Sequence, residues 1–402
     1  MKFLGYITRN TRRNPVRTLL TVASVGISLF LMMILISFIA LYREVAADSR
    51  QYNRLMTMSA QGFAQPVPIS LVNQIRAWQE GDEVPGIVAI SPLSWFGGRV
   101  GEERATFAQF GVDADALFAV YGELTIPPEQ LSAFRNDRTS CVVGRKLAEE
   151  GVLVGEDRDL AVGDVIRLKG DIYPIDLDMK VAGIYDGPDN ADLRSVFFHF
   201  DLMEEALKRN PMGSNMAGNA GSIVIKCTGP VAMTAVAEKI DAETRNSDVP
   251  TRTQSEEAFV QMFAEMLGDM RDYIFYVGMA VVFSLVCVSG VAMAMAMRER
   301  TTEVAVLKAI GFGKGLVLFL VLAEATLIAG LGGMAGALGA KALFDVIDVS
   351  PYTGGFLPFF SVPWDVALLG LGVSLVIGLI SGVVPAAQAA RLSVVNGLRK
   401  VV

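Results

Sequence analysis

The sequence predicts an α-helical membrane protein with four transmembrane helices and a large α+β extracytoplasmic domain inserted between helices 1 and 2. Three observations predict it. The 402 residues are 52% hydrophobic and only 19% charged, against roughly 25% charge in soluble domains. Four stretches of about 25 residues are uncharged or nearly so, long enough for tilted helices across a bilayer that needs about 20. Between the first two lie residues 43–272, of ordinary globular composition. Disorder, collagen-like repeats and a disulfide scaffold are excluded by the same composition, which includes only 3 cysteines.

The stretches lie between Arg17 and Arg43, Asp272 and Arg298, Lys314 and Lys341, and Asp365 and Arg391. Glu324 is the one charge inside them. The short flanks carry Lys2, Arg9, Arg12, Arg13 and Arg17, then Arg298, Arg300, Lys308 and Lys314, then Arg391, Arg399 and Lys400, against only Glu299 and Glu303. By the positive-inside bias, both termini and the 298–314 loop are expected in the cytoplasm of a multi-pass inner (plasma) membrane protein. Residues 43–272 hold 36 acidic and 22 basic residues, so the acidic balance belongs to the outer segment and no nucleic-acid partner is expected. The first uncharged run exceeds the 7–15-residue core of a cleavable signal and lacks an A-x-A-like site, so it is expected to be a true anchor.

These boundaries predict a cytoplasmic N-terminal segment (1–18), helix 1 (19–42), the outer domain (43–272), helix 2 (273–297), a cytoplasmic segment (298–314), helix 3 (315–340), a short outer loop (341–364), helix 4 (365–390) and a cytoplasmic tail (391–402). Within the outer domain, Leu55–Ser59 and Ile87–Ile90 read as strands flanking a helix over Ser70–Gln79. Thr106–Val112 follows as a strand and Asp115–Tyr121 as a short helix. Cys141–Gly144 is a strand, Arg145–Glu150 a helix, and Val165–Leu168 and Met179–Ile184 alternate as strands separated by Gly170 and Pro174. Asp201 with Glu204 three residues later suggests a capped helix over 202–209. Gly213–Gly221 reads as a mobile loop, Ser222–Lys226 as a strand and Val231–Arg245 as a helix. Gln254–Asp272 is expected to run as a helical stalk into helix 2.

Catalytic chemistry finds little support. His199 is the single histidine and is expected near a strand end, facing solvent or a partner. It would have to serve any triad, and with Cys287 inside a span no compact Cys/His cluster forms, so no catalytic residue and no metal site is assigned. Cys141 and Cys227 could pair in an oxidising outer compartment, and the sequence leaves open whether they do. No G-x-x-x-x-G-K-[ST] occurs, and the nearest string, Gly311-Phe-Gly-Lys314-Gly315, reads as a turn. Glu102–Glu103, Glu149–Glu150 and Glu204–Glu205 are sequence neighbours that cannot face one another on a helix or strand, and read as solvated faces.

The loop after the second span places Val304, Leu307 and Ile310 on one helical face before a stop at Gly311. Periodicity alone permits an interfacial helix lying on lipid or a docking helix for a cytoplasmic partner. Gly332, Gly336 and Ala340 offer a small-residue face for close helix packing.

Here the sequence resembles a family. Arg298-Glu-Arg-Thr-Thr-Glu-Val-Ala-Val-Leu-Lys-Ala-Ile-Gly311, Leu322-Ala-Glu324-Ala-Thr-Leu and Pro385-Ala-Ala-Gln-Ala-Ala-Arg391-Leu resemble the FtsX-like permease module. Arg13-Asn-Pro-Val-Arg-Thr-Leu-Leu-Thr21, Val142-Val-Gly-Arg-Lys-Leu-Ala148, Val162-Gly-Asp-Val-Ile-Arg-Leu168 and Val181-Ala-Gly-Ile184 resemble the MacB-type periplasmic core. The resemblance implies the membrane subunit of a MacB/FtsX-type ABC transporter: no enzyme itself, paired with a second permease subunit (identical or a paralogue), and served by a separate cytoplasmic ABC ATPase. ATP and Mg would be used by that ATPase, with no cofactor held by this chain. By the match, Arg298, Glu299, Arg300, Glu303, Leu307, Lys308, Ala309 and Gly311 are candidates for ATPase coupling. Glu324 is a membrane-embedded polar group, either paired with a basic group near the cytoplasmic face or a structural polarity of the bundle. The outer domain is expected in two lobes, a membrane-near lobe (43–135 plus 222–270) and an inserted β-rich lobe (136–221). The function implied is mechanotransmission to export or extract an amphiphilic, lipid-linked or peptide cargo, with a periplasmic adaptor or cargo protein as a further partner. The alternative is an FtsX-like regulator that drives an extracytoplasmic hydrolase without transport.

Overall fold

The computed structural model describes residues 15–62, 65–101, 103–104, 107–151, 153, 158–188, 191–266, 269–347, 349 and 360–395. Lys2, Arg9, Arg12, Arg13, Glu102, Arg399 and Lys400, named above, lie outside these. The chain divides into two units, one built from the membrane helices and one from Tyr42–Glu265.

The inserted domain is α+β. Its strands are β1 (Arg54–Ser59), β2 (Val67–Pro68), β3 (Ile87–Trp95), β4 (Gly98–Val100), β5 (Glu103–Arg104), β6 (Ala108–Val112), β7 (Ser140–Gly144), β8 (Val165–Gly170), β9 (Asp176–Tyr185), β10 (Ser195–His199), β11 (Asn219–Ala220), β12 (Ser222–Cys227) and β13 (Thr251–Ser255). Eleven of them form one sheet in the order β13-β1-β12-β3-β6-β10-β7-β9-β8-β4-β5, while β2 and β11 pair separately. Neighbours are antiparallel except for β6 with β10 and β7 with β9.

Both faces of the middle of this sheet are covered. On one face, Leu71, Val72 and Ile75 of helix Ile69–Glu80, Met203 and Leu207 of helix Phe200–Arg209, and Val236 and Ile240 of helix Pro230–Thr244 pack on Cys141, Val143, Val196, Phe198, Ile223 and Ile225. On the other, Leu117, Leu124 and Phe134 pack on Val112, Val142, Ala182, Tyr185 and Phe197. Strands β7 and β10 therefore read as continuous apolar runs, as strands buried on both faces do. Toward the edge, β8 and β9 alternate buried with exposed residues, because one face meets solvent.

Several expectations change here. The two expected lobes share one sheet, and the β4–β5 hairpin, counted with the first lobe, sits beyond β8 on the far edge, where Gly98 and Arg99 pair with Gly170 and Lys169. Residues 254–255 belong to β13 rather than to a stalk, because Gln254 and Ser255 continue the ladder against Met56 and Leu55; the helix starts at Glu256. Helix Phe200–Arg209 has no side-chain cap. Instead Glu204 accepts the Gly218 backbone N–H at 2.9 Å, which with the β2–β11 pair ties down the 213–221 loop. Glu150 is likewise not a solvated face, since it takes both Nε and Nη2 of the buried Arg194, at 2.6 and 2.7 Å. His199 does not face solvent: it is buried and its Nε2 donates to the Phe134 carbonyl at 2.7 Å.

In the membrane unit four helices are long and apolar enough to span, over Thr18–Phe38, Phe275–Glu299, Lys314–Val346 and Trp364–Arg391. The third includes a π-helical turn at Met334–Leu338. Close packing explains the glycines. A Cβ on Gly336 would lie 2.3 Å from the Gly26 carbonyl oxygen of the first span, and one on Gly332 would lie 2.7 Å from Val25 Cβ. Ala340 is fully buried, beside Met33 and Val366 in one core. The second span meets the fourth through a Ser289–Ser381 hydroxyl pair at 3.1 Å.

Candidate functional site

The site is built where the second span ends and the third begins. The second-span helix continues through Arg298 and Glu299, so these two residues extend a span rather than open a separate helix. A short helix follows over Thr301–Ala309, with Arg300 at its N-cap, Glu303 in its first turn and Lys308 in its last. That charge order complements the helix dipole. At its end Phe312 N–H donates to the Leu307 carbonyl at 3.1 Å and Gly311 N–H to the Lys308 carbonyl at 3.2 Å. This is a Schellman stop, and it requires the φ of +104° that Gly311 supplies without strain.

The two basic residues of this helix turn inward. Arg300 Nη1 donates to both carboxylate oxygens of Glu324, at 2.7 and 2.9 Å. Glu324 stands ten residues into the third-span helix, and its side chain is only 9% exposed. Lys308 Nζ donates to the backbone carbonyls of Ala390 and Leu392, at 2.6 and 2.7 Å. These lie at the C-terminal end of helix Trp364–Arg391, where carbonyls lack helical partners. Between the two anchors, Val304 enters a core with Met293, Val317, Val321, Ala386 and Ala389.

The outward side is apolar. Val306 and Ile310 are 47% and 69% exposed, with exposed Ala309 between them on the same face. The expected Val304–Leu307–Ile310 face is therefore split: Val304 is buried, Leu307 half-buried and Ile310 exposed. Of the eight residues assigned to coupling, Arg298, Glu299, Ala309 and Gly311 are exposed, and Glu303 and Leu307 are half-buried. Glu299, Arg300, Glu303 and Glu324 share a polar cleft of about 200 Å³ with Thr18 and Thr21 of the first span. Val306 was not singled out from the sequence, although its i, i+4 spacing to Ile310 was the available signal.

A second charged cluster lies in the inserted domain. Arg54 is 4% exposed; its Nη1 donates to Glu123 at 2.5 Å and its Nε to Glu256 at 2.7 Å. Its guanidinium carbon lies 4.5 and 4.6 Å from the ring centres of Tyr52 and Tyr121, within cation–π range. Burial opposes the arginine's charge, but the two carboxylates outweigh it and hold the guanidinium above its ordinary range. Burial raises the Glu256 carboxyl, with Arg54 holding it back. The cluster ties Tyr52 and Arg54, near the domain's first strand, to Glu256, which opens the helix that leaves it.

The cysteines are free. Cys141 on β7 and Cys227 on β12 are separated by β10, β6 and β3; four strand spacings put them about 19 Å apart, beyond disulfide reach. Among the described residues no group of three His, Cys, Asp or Glu side chains is placed to hold a metal.

Together, four helices long and apolar enough to span, one large α+β insertion and a short helix between the second and third spans define a multi-pass membrane protein with an inserted domain. A MacB-like periplasmic core domain matches residues 18–243 and an FtsX-like permease C-terminal domain matches 274–394. The chain belongs to the MacB/FtsX-type family of ABC transporter permeases. It is 25% identical over 416 aligned residues to an uncharacterised ABC transporter permease of Methanocaldococcus jannaschii, covering 98% of this chain and 97% of the relative. It is also similar to two uncharacterised ABC transporter permeases of Bacillus subtilis. YvrN is 32% identical over 40% of this chain and 37% of its own length, and YknZ is 24% identical over 64% and 61%. Among solved structures, the extracellular domain of the noncanonic ABC-type transporter YknZ aligns with 50% of this chain and 100% of its own, at 10% identity and a TM-score of 0.35.

Proposed function

We propose that this permease receives motion from a separate cytoplasmic ABC ATPase and passes it through its spans to the inserted domain on the opposite side of the membrane. Both termini and helix Thr301–Ala309 face the cytoplasm in this reading, as the Lys and Arg of the short flanks favour. ATP and Mg are used by the ATPase, and a second permease subunit completes the assembly. The observation that carries the reading is the exposed Val306–Ala309–Ile310 stripe on a helix whose opposite side is anchored to two spans. An exposed apolar stripe on a helix of this kind suits a protein partner better than water.

The interior of the spans supports transmission rather than a hydrated cargo path. Among the described residues their buried polar side chains are Ser37, Ser289, Glu324, Ser374 and Ser381, and Glu324 is neutralised by Arg300. The cargo is then handled at the inserted domain, as an amphiphilic, lipid-linked or peptide species. The test is affinity purification of the tagged chain from membranes in mild detergent, followed by mass spectrometry. An ABC ATPase should accompany the wild type near 1:1 stoichiometry and be lost from a Val306→Asp/Ile310→Asp variant. Equal recovery with both chains would refute the docking face.

A further inference from the structure

The linker helix Thr301–Ala309 is tied by its own chain to the second span, through the Arg300 N–H on the Ala296 and Met297 carbonyls and the Thr301 hydroxyl near the Met297 and Arg298 carbonyls, but not to the third or fourth span. On its C-terminal side stand Gly311 and Gly313, where an added Cβ would meet nothing within 4 Å, so the backbone there has open space on the side a residue would fill. On its N-terminal side the chain breaks from helical geometry at Arg300, whose φ and ψ are −102° and 14°. A push on the exposed stripe would reach the third and fourth spans only through side chains that hold the helix to them.

Two side chains do. Arg300 reaches Glu324 about 15 Å along the third-span helix from its start, and Lys308 takes the terminal carbonyls of the fourth. They sit at opposite ends of the short helix and engage different spans. Buried ion pairs contribute little net stability against apolar replacements, yet they fix one geometry, since a displaced partner leaves a buried charge unpaired. Lysine is suited to the second anchor because one ammonium has three donors and can satisfy two carbonyls at once.

We infer that Arg300, Glu324 and Lys308 are positioning residues, two bolts that make the linker helix move as one piece with the third and fourth spans, and that they do not contact the ATPase. This rests on the reading of Val306, Ala309 and Ile310 as the docking face. It reassigns Arg300 and Lys308, both grouped with ATPase-facing residues by family resemblance, to the inner side of the joint.

The test uses full-length chain, alone and with its co-purifying ATPase, as wild type, Lys308→Met, Glu324→Gln and the charge swap Arg300→Glu/Glu324→Arg. Three quantities are read: ATPase recovered per permease, hydrogen exchange of amides 301–309, and the ATP-dependent change in exchange of residues 54–265. In Lys308→Met and Glu324→Gln, exchange of the linker helix should rise on the order of tenfold even in the permease alone. ATPase recovery should stay near wild type, while the ATP-dependent response of the inserted domain falls at least about fivefold. The swap should restore much of that response, which a role limited to folding would not. Loss of the ATPase from Lys308→Met to the same extent as from Ile310→Asp would overturn the inference by placing Lys308 on the docking face. Unchanged linker-helix exchange in both single variants would overturn it by showing that nothing is bolted. Absence of any ATPase from wild type would count against the docking reading alone, because exchange in the isolated permease still tests the bolts.

Discussion

Replacing Arg54 by methionine removes the cation of the buried cluster while keeping most of the side-chain volume. The guanidinium is 4% exposed and its two partners 12% and 18% exposed, so little solvent screening softens the loss. Breaking a buried pair by deleting one partner costs about 3–5 kcal/mol. The raised Glu256 carboxyl, shifted by burial, can take up a proton once Arg54 is gone, which puts the cost at the lower end, near 3 kcal/mol. For a domain of this size each kcal/mol lowers Tm by roughly 2–4 °C, so a drop of roughly 6–12 °C is expected. Thermal unfolding followed by fluorescence of Trp78, which is buried in the domain core, is the assay. The pH dependence supplies a second check. A carboxyl whose folded pKa lies above its unfolded value contributes stability at low pH and loses it as pH rises through the folded value. Arg54→Met should therefore gain Tm between pH 7 and 5, and Glu256→Gln should recover part of the loss. A Tm change below about 2 °C, with no pH dependence, would refute the assignment of this cluster as a structural tie.

Three further outcomes follow from other parts of the molecule. Gly336→Val would place atoms within the space 2.3 Å from the Gly26 carbonyl and should destabilise the membrane unit by about 1–3 kcal/mol, measured by unfolding in detergent; an unchanged midpoint would contradict the close crossing. Asp137 is held below the ordinary carboxylate range by the Thr139 hydroxyl and backbone N–H. Its contribution is present above about pH 4 and lost as pH falls through the folded value, so Asp137→Asn should flatten the acid limb of Tm against pH, and an unaltered limb would sink that attribution. Burial pushes the Cys141 and Cys227 thiols up to about 12 and about 11, so neither should react with a thiol reagent at pH 8 in the folded chain. Both should react after denaturation without reductant; recovery of two thiols fewer would reveal a disulfide.

The spans were legible because a bilayer imposes a length and polarity that no soluble element mimics. The strands around β8 and β9 were legible because one face meets solvent and the residues alternate. Strand β10, Ser195-Val-Phe-Phe-His199, was marked only by the expectation that His199 lies near a strand end; its extent escaped because burial on both faces erases alternation, leaving a short apolar run that periodicity cannot assign. Helix Pro128–Asn136 escaped as well, although Pro128 at its start is a recognised signal. At the site, the pattern around 298–311 marked the right segment but not its sides. Arg300 and Lys308 were read as ATPase-coupling candidates; a basic partner for Glu324 was one of the two readings offered, but that it is Arg300, and that Lys308 turns to the end of the fourth helix, depends on residues 24 and 82 positions away in sequence. Arg54, Glu123 and Glu256 were invisible for the same reason, being brought together only by the sheet.

The central claim is that nucleotide turnover in one protein moves a domain in another. The most direct measurement is hydrogen exchange of residues 54–265 in the purified permease–ATPase complex, comparing a trapped ATP state with ADP. The account predicts a nucleotide-dependent change in the inserted domain that disappears in Val306→Asp/Ile310→Asp. Identical exchange in both nucleotide states, with the ATPase bound and turning over, would contradict it.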